Sequence, residues 1–374
     1  MTTTEKSKTI EKRTPRKVYE GFQDTYFIIM AGGKGERFWP LSTEHVPKPF
    51  VRLTGKKTLI ELTVDRARRV VPIERIFVVL GKEHLPEAKK CLPGLPGKNF
   101  IIEPVNRDTA PCVGLAALLI HLRAPEAVMV VLPSDHHVTD EGRFAKLIRD
   151  AVKVARRGEY LVTIGVKPDR PETGYGYVKA GKKAQAGKGV DCFHAARFVE
   201  KPQLAKAKHY FREGSYYWNT GIFIWKVPVL LEGLRLHMPR LHRGLEDLRL
   251  VIKRREWKKA NELFAGFDRE SIDYGLMEKA KNVLMIPATF GWDDVGTWTA
   301  LLRVLDTDEK GNLLRGRAVA IDTDNCVIIA DKTPVALLGL SNLVVVASKE
   351  GILVCEASKA QEVRRIAKLF NKKS

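Results

Sequence analysis

Long apolar segments are absent from this 374-residue sequence. No run of about 18 uncharged apolar residues occurs, so a membrane-spanning helix is not expected. Residues 1–24 are polar and charged and lack the apolar stretch of a secretory signal. We therefore expect a cytoplasmic protein without membrane insertion, whose residues 1–24 form a polar, solvated tail.

Cysteine is scarce as well. The five cysteines are scattered along the chain, and no two of them form a C-x-x-C pair. This spacing argues against a zinc ribbon and against a disulfide framework. The thiols are expected to be reduced, as they are in a reducing compartment.

Acidic residues are outnumbered by basic ones. The sequence has 44 Asp and Glu against 64 Lys and Arg, which gives a formal net charge of +20. Such a balance suits nucleic acid, an anionic membrane surface or small polyanionic substrates. The basic residues are spread along the chain and form no zinc-finger, helix-turn-helix or RNA-platform signature. We therefore favour small phosphate-bearing ligands, and a nucleic-acid-binding protein stays an alternative.

Apolar residues make up 44% of the chain, which is enough for a sizeable core and excludes wholesale disorder. In the first half, short and nearly continuous apolar runs alternate with helical patterns. Runs typical of buried parallel strands are Tyr26–Ala31, Ile76–Leu80, Phe100–Ile102, Val128–Leu132 and Leu161–Gly165. This alternation predicts βαβ units and a doubly wound α/β sheet.

Helices are predicted between these strands. Thr58 and Glu61 form a capping box for a helix to about Val70. Thr109 can cap a helix that runs to His121, and Gly142–Arg157 reads as another. Further on, strands are predicted at Tyr175–Lys179, Phe193–Val199 and Gly221–Lys226, and helices at Ala205–Glu213, Val227–His237 and Leu245–Phe264.

The pattern changes again at about Asp308. Short strand-like segments recur there, at Arg317–Ile321, Cys326–Ile329, Val335–Leu338, Leu343–Val346 and Ile352–Cys355. A basic amphipathic helix, Ser358–Phe370, follows them. The C-terminal part is therefore predicted to be a small β domain with a terminal helix.

A glycine cluster follows the first predicted strand, where Ala31–Ser42 reads A-G-G-K-G-E-R-F-W-P-L-S. Glycines let backbone N–H groups approach a phosphate because no Cβ intervenes, and Lys34 and Arg37 add positive charge. The spacing fits neither the ATPase phosphate loop nor the dinucleotide fingerprint. Downstream, Pro47 and Pro49 stiffen the backbone around Lys48 and so order a further cation.

The pattern A-G-G-x-G-x-R-x-x-P-L-S followed by P-K-P-F resembles the sugar-1-phosphate nucleotidyltransferases, and the Phe-Trp-Pro variant resembles their mannose-1-phosphate guanylyltransferase branch. These enzymes join a sugar phosphate to a nucleoside triphosphate and release pyrophosphate. The resemblance runs from about Tyr26 to Phe370. It implies a mixed, doubly wound Rossmann-like (GT-A-like) sheet in residues 25–306. In residues 307–374 it implies a short left-handed β-helix that supports a homodimer. A chain that stops here is also expected to lack the phosphomannose isomerase activity of bifunctional relatives.

A second matching segment, Glu103–Pro111, reads E-P-V-N-R-D-T-A-P. It is similar to the branch's E-P-x-x-R-N-T-A-P, which lies against guanine, except that Asp108 replaces the usual Asn. Together with the glycine loop, the resemblance implies nucleotide binding by Ala31, Gly32, Gly33, Lys34, Gly35, Glu36, Arg37, Glu103, Arg107, Thr109, Ala110, Pro133 and Asp135.

Two aspartates are candidate metal ligands. Asp135 follows the fourth predicted strand, where a carboxylate of an α/β sheet is well placed for a metal. Gly291–Gly296 reads G-W-D-D-V-G and resembles the family's Gly-Trp-x-Asp-Val-Gly, which implies that Asp294 and Asp135 hold Mg²⁺. Asp293 would then be a neighbour and not a ligand. A transition-metal site at His136 and His137 is a weaker alternative, since adjacent residues of a strand face opposite sides.

The remaining matches resemble the family's sugar-phosphate pocket. They occur in Thr173–Tyr177, Phe198–Pro202, Tyr217–Gly221 and Ser271–Tyr274. Carboxylates and amides there can hydrogen-bond sugar hydroxyls, and a lysine can neutralise the sugar phosphate. The implied sugar-phosphate-binding residues are Tyr175, Gly176, Glu200, Lys201, Asn219, Thr220 and Asp273.

The resemblance therefore predicts an enzyme that transfers GMP from GTP to mannose 1-phosphate and yields GDP-mannose and pyrophosphate. Arg37, Lys48, Asp135 and Asp294 are its expected catalytic residues. One alternative is the same chemistry with glucose 1-phosphate, dTTP or ATP. Another is a regulatory protein that binds GDP-sugars without turnover, although such a protein would not need paired carboxylates.

Overall fold

A computed structural model describes residues 19–33, 35–187 and 189–371. Its strands, in chain order, are β1 (Thr25–Met30), β2 (Ile76–Gly81), β3 (Phe100–Glu103), β4 (Val128–Pro133), β5 (His137–Val138), β6 (Leu161–Val166), β7 (Gly176–Lys183), β8 (Phe193–Val199), β9 (Tyr216–Lys226), β10 (Val283–Ala288), β11 (Trp292–Asp293), β12 (Leu313–Ile321), β13 (Val327–Leu338), β14 (Leu343–Ser348) and β15 (Gly351–Glu356). Its α-helices are α1 (Leu59–Arg68), α2 (Leu85–Cys91), α3 (Thr109–His121), α4 (Glu141–Arg156), α5 (Leu204–Glu213), α6 (Val227–His237), α7 (Pro239–Lys253), α8 (Trp257–Ala265), α9 (Leu301–Val304) and α10 (Val363–Asn371).

Within the described residues, a nine-stranded sheet in the order β3-β2-β1-β4-β9-β6-β10-β8-β7 forms the centre of the larger unit. The four strands β3, β2, β1 and β4 are parallel, and β9 runs antiparallel between β4 and β6. All five apolar runs predicted as buried strands lie in this sheet. The sheet is mixed and carries helices on both faces, so the predicted fold class is confirmed.

The continuous apolar runs arise because helices cover both faces of the sheet. Within β1, Phe27 and Ile29 pack in one cluster with side chains of α1 and α4. Ile28, which lies between them, packs in the other cluster with side chains of α3, α6 and α7. A strand buried on both faces has no polar side to present to water. In such a strand the ends, rather than the middle, are left to carry polar site residues.

Several predicted helices have different ends in the structure. The Thr58–Glu61 capping box is present, and the Thr58 backbone N–H donates to Glu61 Oε2 at 2.7 Å. The cap of α3, however, is Asp108, whose side chain accepts from the Thr109 N–H at 2.8 Å. The helix predicted over Leu245–Phe264 is two helices, α7 and α8, because Arg255 adopts a left-handed φ of 60° between them.

Phe22 departs from the solvated tail that is predicted over residues 1–24. Phe22 is buried in the core beside the sheet. Arg156 of α4 donates to the Gly21 carbonyl at 2.6 Å and lies over the Phe22 ring. Residues 19–24 are thus packed on the domain, and residues 1–18 lie outside the described residues.

The C-terminal part forms a sheet in the order β12-β13-β14-β15, in which only β15 is antiparallel to its neighbour. Two segments predicted as separate strands, Cys326–Ile329 and Val335–Leu338, are joined in the long strand β13. Gly316 in β12 has φ of 77°, and a Cβ there would lie 1.8 Å from the Ala330 carbonyl oxygen. A glycine is therefore required where the two strands change register.

The last helix returns to the larger unit. Residues Ala357–Glu362 form a 3-10 turn rather than the start of the predicted helix, and α10 begins at Val363. Val363 and Ala367 are buried in a cluster with Phe38 and Trp39, which follow the glycine loop. In the part of the chain that the structure describes, no helix is long and apolar enough to cross a membrane.

Candidate active site

Two adjoining cavities open at the carboxyl ends of the parallel strands. The larger, of about 720 Å³, is lined by the predicted residues Gly32, Gly33, Glu103, Thr109, Pro133, Tyr175, Gly176, Glu200, Asn219, Thr220, Asp273 and Asp294. The smaller, of about 360 Å³, is lined by Gly35, Glu36, Arg37, Phe38, Lys48, Asp135, His136, Asp294, Gly296 and Arg364. His136 and Asp294 line both cavities, so the two cavities adjoin at these residues.

The glycine loop forms one wall of both cavities. Gly35 has a left-handed φ of 62°, and a Cβ there would lie 2.5 Å from the Lys48 backbone nitrogen. The Gly35 carbonyl accepts from the Ser42 hydroxyl at 2.5 Å, which ties the loop to its own continuation. Gly33 is exposed, and open space surrounds the position of its absent Cβ. The loop therefore brings its backbone close to Lys48 and leaves room for a ligand beside Gly33. Lys34, which is also a predicted nucleotide-binding residue, lies outside the described residues.

Lys48 connects the two predicted metal ligands. Its buried ammonium donates to Asp135 Oδ2 at 2.9 Å and to the Asp294 backbone carbonyl at 2.6 Å. Burial opposes ionisation of Asp135, but the Lys48 charge prevails and holds the pKa of that carboxyl below its usual range. Asp135 is therefore a carboxylate at neutral pH, as a metal ligand must be.

Asp294 is oriented by two donors. Its Oδ1 accepts from the Tyr175 hydroxyl and from the Gly296 N–H, the latter at 3.1 Å. Among the described residues Oδ2 has no hydrogen-bond donor, so it is free to accept a ligand. The neighbouring Asp293 instead pairs with Arg303, at 2.8 Å, and is buried. Asp294 thus lies in the cavities, whereas Asp293 lies in an ion pair.

The donor set fits a hard divalent cation that shares its ligands with substrate phosphates. The described residues contain no group of three or more His, Cys, Asp and Glu side chains that could hold a metal by themselves. Two carboxylates facing one cavity suit Mg²⁺, which usually binds one or two carboxylates together with phosphate oxygens. The transition-metal alternative is not supported. Trp292 Nε1 donates to His136 Nδ1 at 3.1 Å, so the proton of the neutral ring lies on Nε2 and neither nitrogen offers a free lone pair.

At the opposite end of the larger cavity, Asn219 is the centre of a polar network. Its Nδ2 donates to Asp273 Oδ1 at 2.9 Å, and its Oδ1 accepts from the Thr163 hydroxyl, also at 2.9 Å. Burial and the nearby Glu200 carboxylate raise the pKa of Asp273 to about 7. A Cβ on Gly176 would lie 2.4 Å from Glu200 Oε2, so a larger residue there would displace the Glu200 carboxylate. The network offers carboxylate and amide groups to a polyhydroxylated ligand.

Glu103 lies at the carboxyl end of β3 on another wall of the larger cavity. Burial raises the pKa of its carboxyl to about 7, the nearby Asp108 adds to this, and a hydrogen bond from the Cys112 thiol opposes it. Beside it, Asn106 Nδ2 donates to the Gly32 carbonyl at 3.1 Å. The sequence reasoning missed Cys112, although its position one turn into α3 is a signal that it would face the same side as Thr109.

Four predicted site residues lie outside both linings: Ala31, Arg107, Ala110 and Lys201. The Arg107 guanidinium donates to the Ala265 carbonyl at the end of α8, where free carbonyls attract a cation. The Ala110 N–H donates to the Glu270 carbonyl at 3.1 Å. Lys201 pairs with Glu200 at 2.6 Å and so acts on the cavity through that carboxylate. The family resemblance predicted that Arg107 contacts the nucleotide base, whereas in the structure its guanidinium contacts the end of α8.

Comparison with known proteins agrees with this geometry. The family described as Nucleotidyl transferase matches residues 26–311. The chain belongs to that family. A second family, described as MannoseP isomerase/GMP-like beta-helix domain, matches residues 316–369, which supports the β-helix expected there.

The chain is also similar to curated proteins named mannose-1-phosphate guanylyltransferase. It is 37% identical to one from Salmonella montevideo and 34% identical to one from Escherichia coli K12; in each case 91% of this chain and 72% of the relative align. A crystal structure described as mannose-1-phosphate geranyltransferase from Thermus thermophilus superposes with a TM-score of 0.84 and 39% identity. The superposition covers 93% of this chain and 99% of that one. The resemblance drawn from the motifs is thereby confirmed.

Proposed function

We propose that this chain transfers GMP from GTP to α-D-mannose 1-phosphate and releases GDP-mannose and pyrophosphate. The observation that carries the proposal is the pair of adjoining cavities that share Asp294 and His136. The larger is wide enough for a nucleoside and a sugar, and the smaller is lined by Arg37, Lys48 and the glycine loop. The relatives that carry this name support the choice of substrates.

The substrates are assigned to the cavities by chemistry. Guanine is placed against Glu103, because a carboxylate accepts from the N1–H and N2–H groups of a guanine edge. The mannose hydroxyls are placed against Glu200, Asn219 and Asp273, whose oxygens and amide suit hydroxyl donors and acceptors. The β- and γ-phosphates of GTP are placed in the smaller cavity, against Arg37 and the backbone N–H groups of the glycine loop.

In the proposed mechanism, the phosphate oxygen of mannose 1-phosphate attacks the α-phosphorus of GTP in line with the leaving pyrophosphate. A phosphate monoester is already ionised near neutral pH, so no general base is assigned. The contribution of the protein is positioning and charge stabilisation. Lys48 reduces the repulsion between the two anionic substrates, while Arg37 and the glycine loop stabilise the pyrophosphate as it leaves.

Asp135 and Asp294 would hold a divalent metal, which we take to be Mg²⁺. When bound, the metal supplies positive charge to the reacting phosphates. Lys48 and Tyr175 hold these carboxylates in place. GTP is made and used in the cytoplasm, so the same compartment is proposed for the reaction.

We further propose a homodimer, a boundary between the two domains near residues 306 and 307, and an N-terminal segment (residues 1–24) that is not part of the site. The dimer is supported by large apolar side chains that are exposed on the C-terminal strands: Val319, Ile321, Leu338, Ile352 and Val354. Two copies could cover such a patch with each other through a two-fold interface. Light scattering of the eluted protein should give twice the chain mass, and a monomer would contradict this assignment.

The function is tested by measuring pyrophosphate release with Mg²⁺ and mannose 1-phosphate, using GTP, ATP, dTTP, CTP and UTP in parallel. Release with GTP alone is expected. Release with another nucleotide would keep the mechanism but overturn the assignment of guanine to Glu103. Protein that binds GTP and releases no pyrophosphate with any sugar 1-phosphate would overturn the enzyme proposal in favour of a binding protein.

A further inference from the structure

The smaller cavity contains a residue from the C-terminal unit. Arg364, in the first turn of α10, lines this cavity together with Gly35, Arg37 and Lys48. Helix α10 follows the β12–β15 sheet, so Arg364 reaches the cavity from the second domain. Neither the motif pattern nor the family resemblance drew attention to it.

Helix α10 is attached to the segment that continues the glycine loop. Val363 and Ala367, on either side of Arg364, are buried in the cluster that contains Phe38 and Trp39. One turn further on, the Phe370 ring stacks on the Trp39 ring with centroids 4.8 Å apart. These contacts fix the helix against the loop, so the position of Arg364 at the cavity is set by packing.

The charge of Arg364 is not used elsewhere in the structure. Among the described residues, its guanidinium makes no hydrogen bond or ion pair. The adjacent Arg365 differs, because it pairs with Glu362 at 2.7 Å. Within the cavity the Lys48 ammonium is committed to Asp135, whereas Arg37 also lacks a partner among the described residues. Arg37 and Arg364 are thus the cations in this cavity that remain available to an anion, and they share it with the carboxylates of Glu36, Asp135 and Asp294.

We propose that Arg364 binds the β- and γ-phosphates of the nucleotide and the leaving pyrophosphate, so that the C-terminal domain completes the nucleotide site. The inference rests on the proposed function and names a contact that no motif assigns. An arginine fork suits phosphate oxygens, and it gives charge-assisted hydrogen bonds. Arg364 does not line the larger cavity, so it should act on the leaving group and not on the sugar.

The test compares Arg364→Ala with Arg365→Ala in the full-length protein. Titration calorimetry with Mg²⁺ present measures the Kd for pyrophosphate, for GTP and for GDP-mannose. Arg364→Ala should weaken pyrophosphate and GTP binding about 10-fold, the size of one charge-assisted hydrogen bond. GDP-mannose has no leaving pyrophosphate, so its Kd should not change. Arg365→Ala should bind all three ligands as the wild type does, and Arg364→Lys should recover part of the loss.

Two results would overturn the assignment. One is an unchanged pyrophosphate Kd in Arg364→Ala. The other is an equal loss in Arg365→Ala, which would indicate a general effect of surface charge. Both are distinct from failure of the proposed function, in which the wild-type protein would release no pyrophosphate from GTP with any sugar 1-phosphate.

Discussion

Replacing Glu103 by Gln should make the folded protein more stable above neutral pH and at the same time weaken its nucleotide binding. Glu103 is only 5% exposed, and burial is the main reason that its pKa rises to about 7. An unperturbed glutamate has a pKa of about 4.3. Ionising the Glu103 carboxyl therefore costs more free energy in the folded protein than in the unfolded chain.

The magnitude follows from the gap between the two pKa values. Below about pH 4 the carboxyl is protonated in both states and the cost is absent. Between about pH 4.3 and 7, Glu103 is ionised in the unfolded chain but still protonated in the folded protein. The free energy of unfolding therefore falls by up to about 1.4 kcal/mol per pH unit. Above about pH 8 the loss approaches its full value of about 3.7 kcal/mol. The glutamine side chain of the variant cannot ionise, so the variant escapes this loss.

The assay is urea unfolding of both proteins at pH 5 and pH 8. The free energy of unfolding of Glu103→Gln minus that of the wild type should be about 2.5 kcal/mol larger at pH 8 than at pH 5. The exposed Glu126→Gln is the matched control and should show no such change. Calorimetry at pH 8 should find GTP bound about 10-fold more weakly by Glu103→Gln, because one charged acceptor for guanine is lost. If the free energies of unfolding of Glu103→Gln and the wild type differed by the same amount at pH 5 and pH 8, the argument from burial would be refuted.

Four further substitutions test the rest of the site. Asp135→Asn and Asp294→Asn should each lower kcat on the order of 10²-fold in a pyrophosphate-release assay, and near-wild-type turnover in both would remove them as metal ligands. Lys48→Ala deletes the cation 2.9 Å from Asp135, so kcat/KM should fall about 10-fold or more, whereas an unchanged value would take Lys48 out of the mechanism. Gly35→Ala would place a Cβ 2.5 Å from the Lys48 backbone at a left-handed φ, so urea unfolding should show a loss of about 1–2 kcal/mol; equal stability would contradict the close approach.

Local patterns in the sequence were enough to predict the parts of the fold that local physics determines. The apolar runs of β1, β2 and β4, and the capping box at Thr58, were read from neighbouring residues, and the structure contains them. The order of the strands in the sheet could not be predicted from such local patterns. Strand β9 runs antiparallel between β4 and β6, and this pairing joins segments far apart in the chain.

The same distinction applies to the candidate site. The order of the motifs predicted one site for the glycine loop, Lys48, Asp135 and Asp294, and the structure brings these residues to one cavity. Arg107 lies outside the cavity linings because its guanidinium donates to a helix-end carbonyl, a contact that no local pattern reveals. Arg364 was overlooked because it reaches the cavity only after the C-terminal sheet has folded back on the first domain.

The most direct test of the central claim follows the fate of individual phosphates. The protein would be incubated with mannose 1-phosphate, Mg²⁺ and GTP labelled with ³²P at either the α or the γ position, and the products would be separated by chromatography. The account predicts that the α label appears in GDP-mannose and the γ label in pyrophosphate. Recovery of the γ label as inorganic phosphate, or of the α label only in GDP or GMP, would contradict guanylyl transfer to the sugar phosphate.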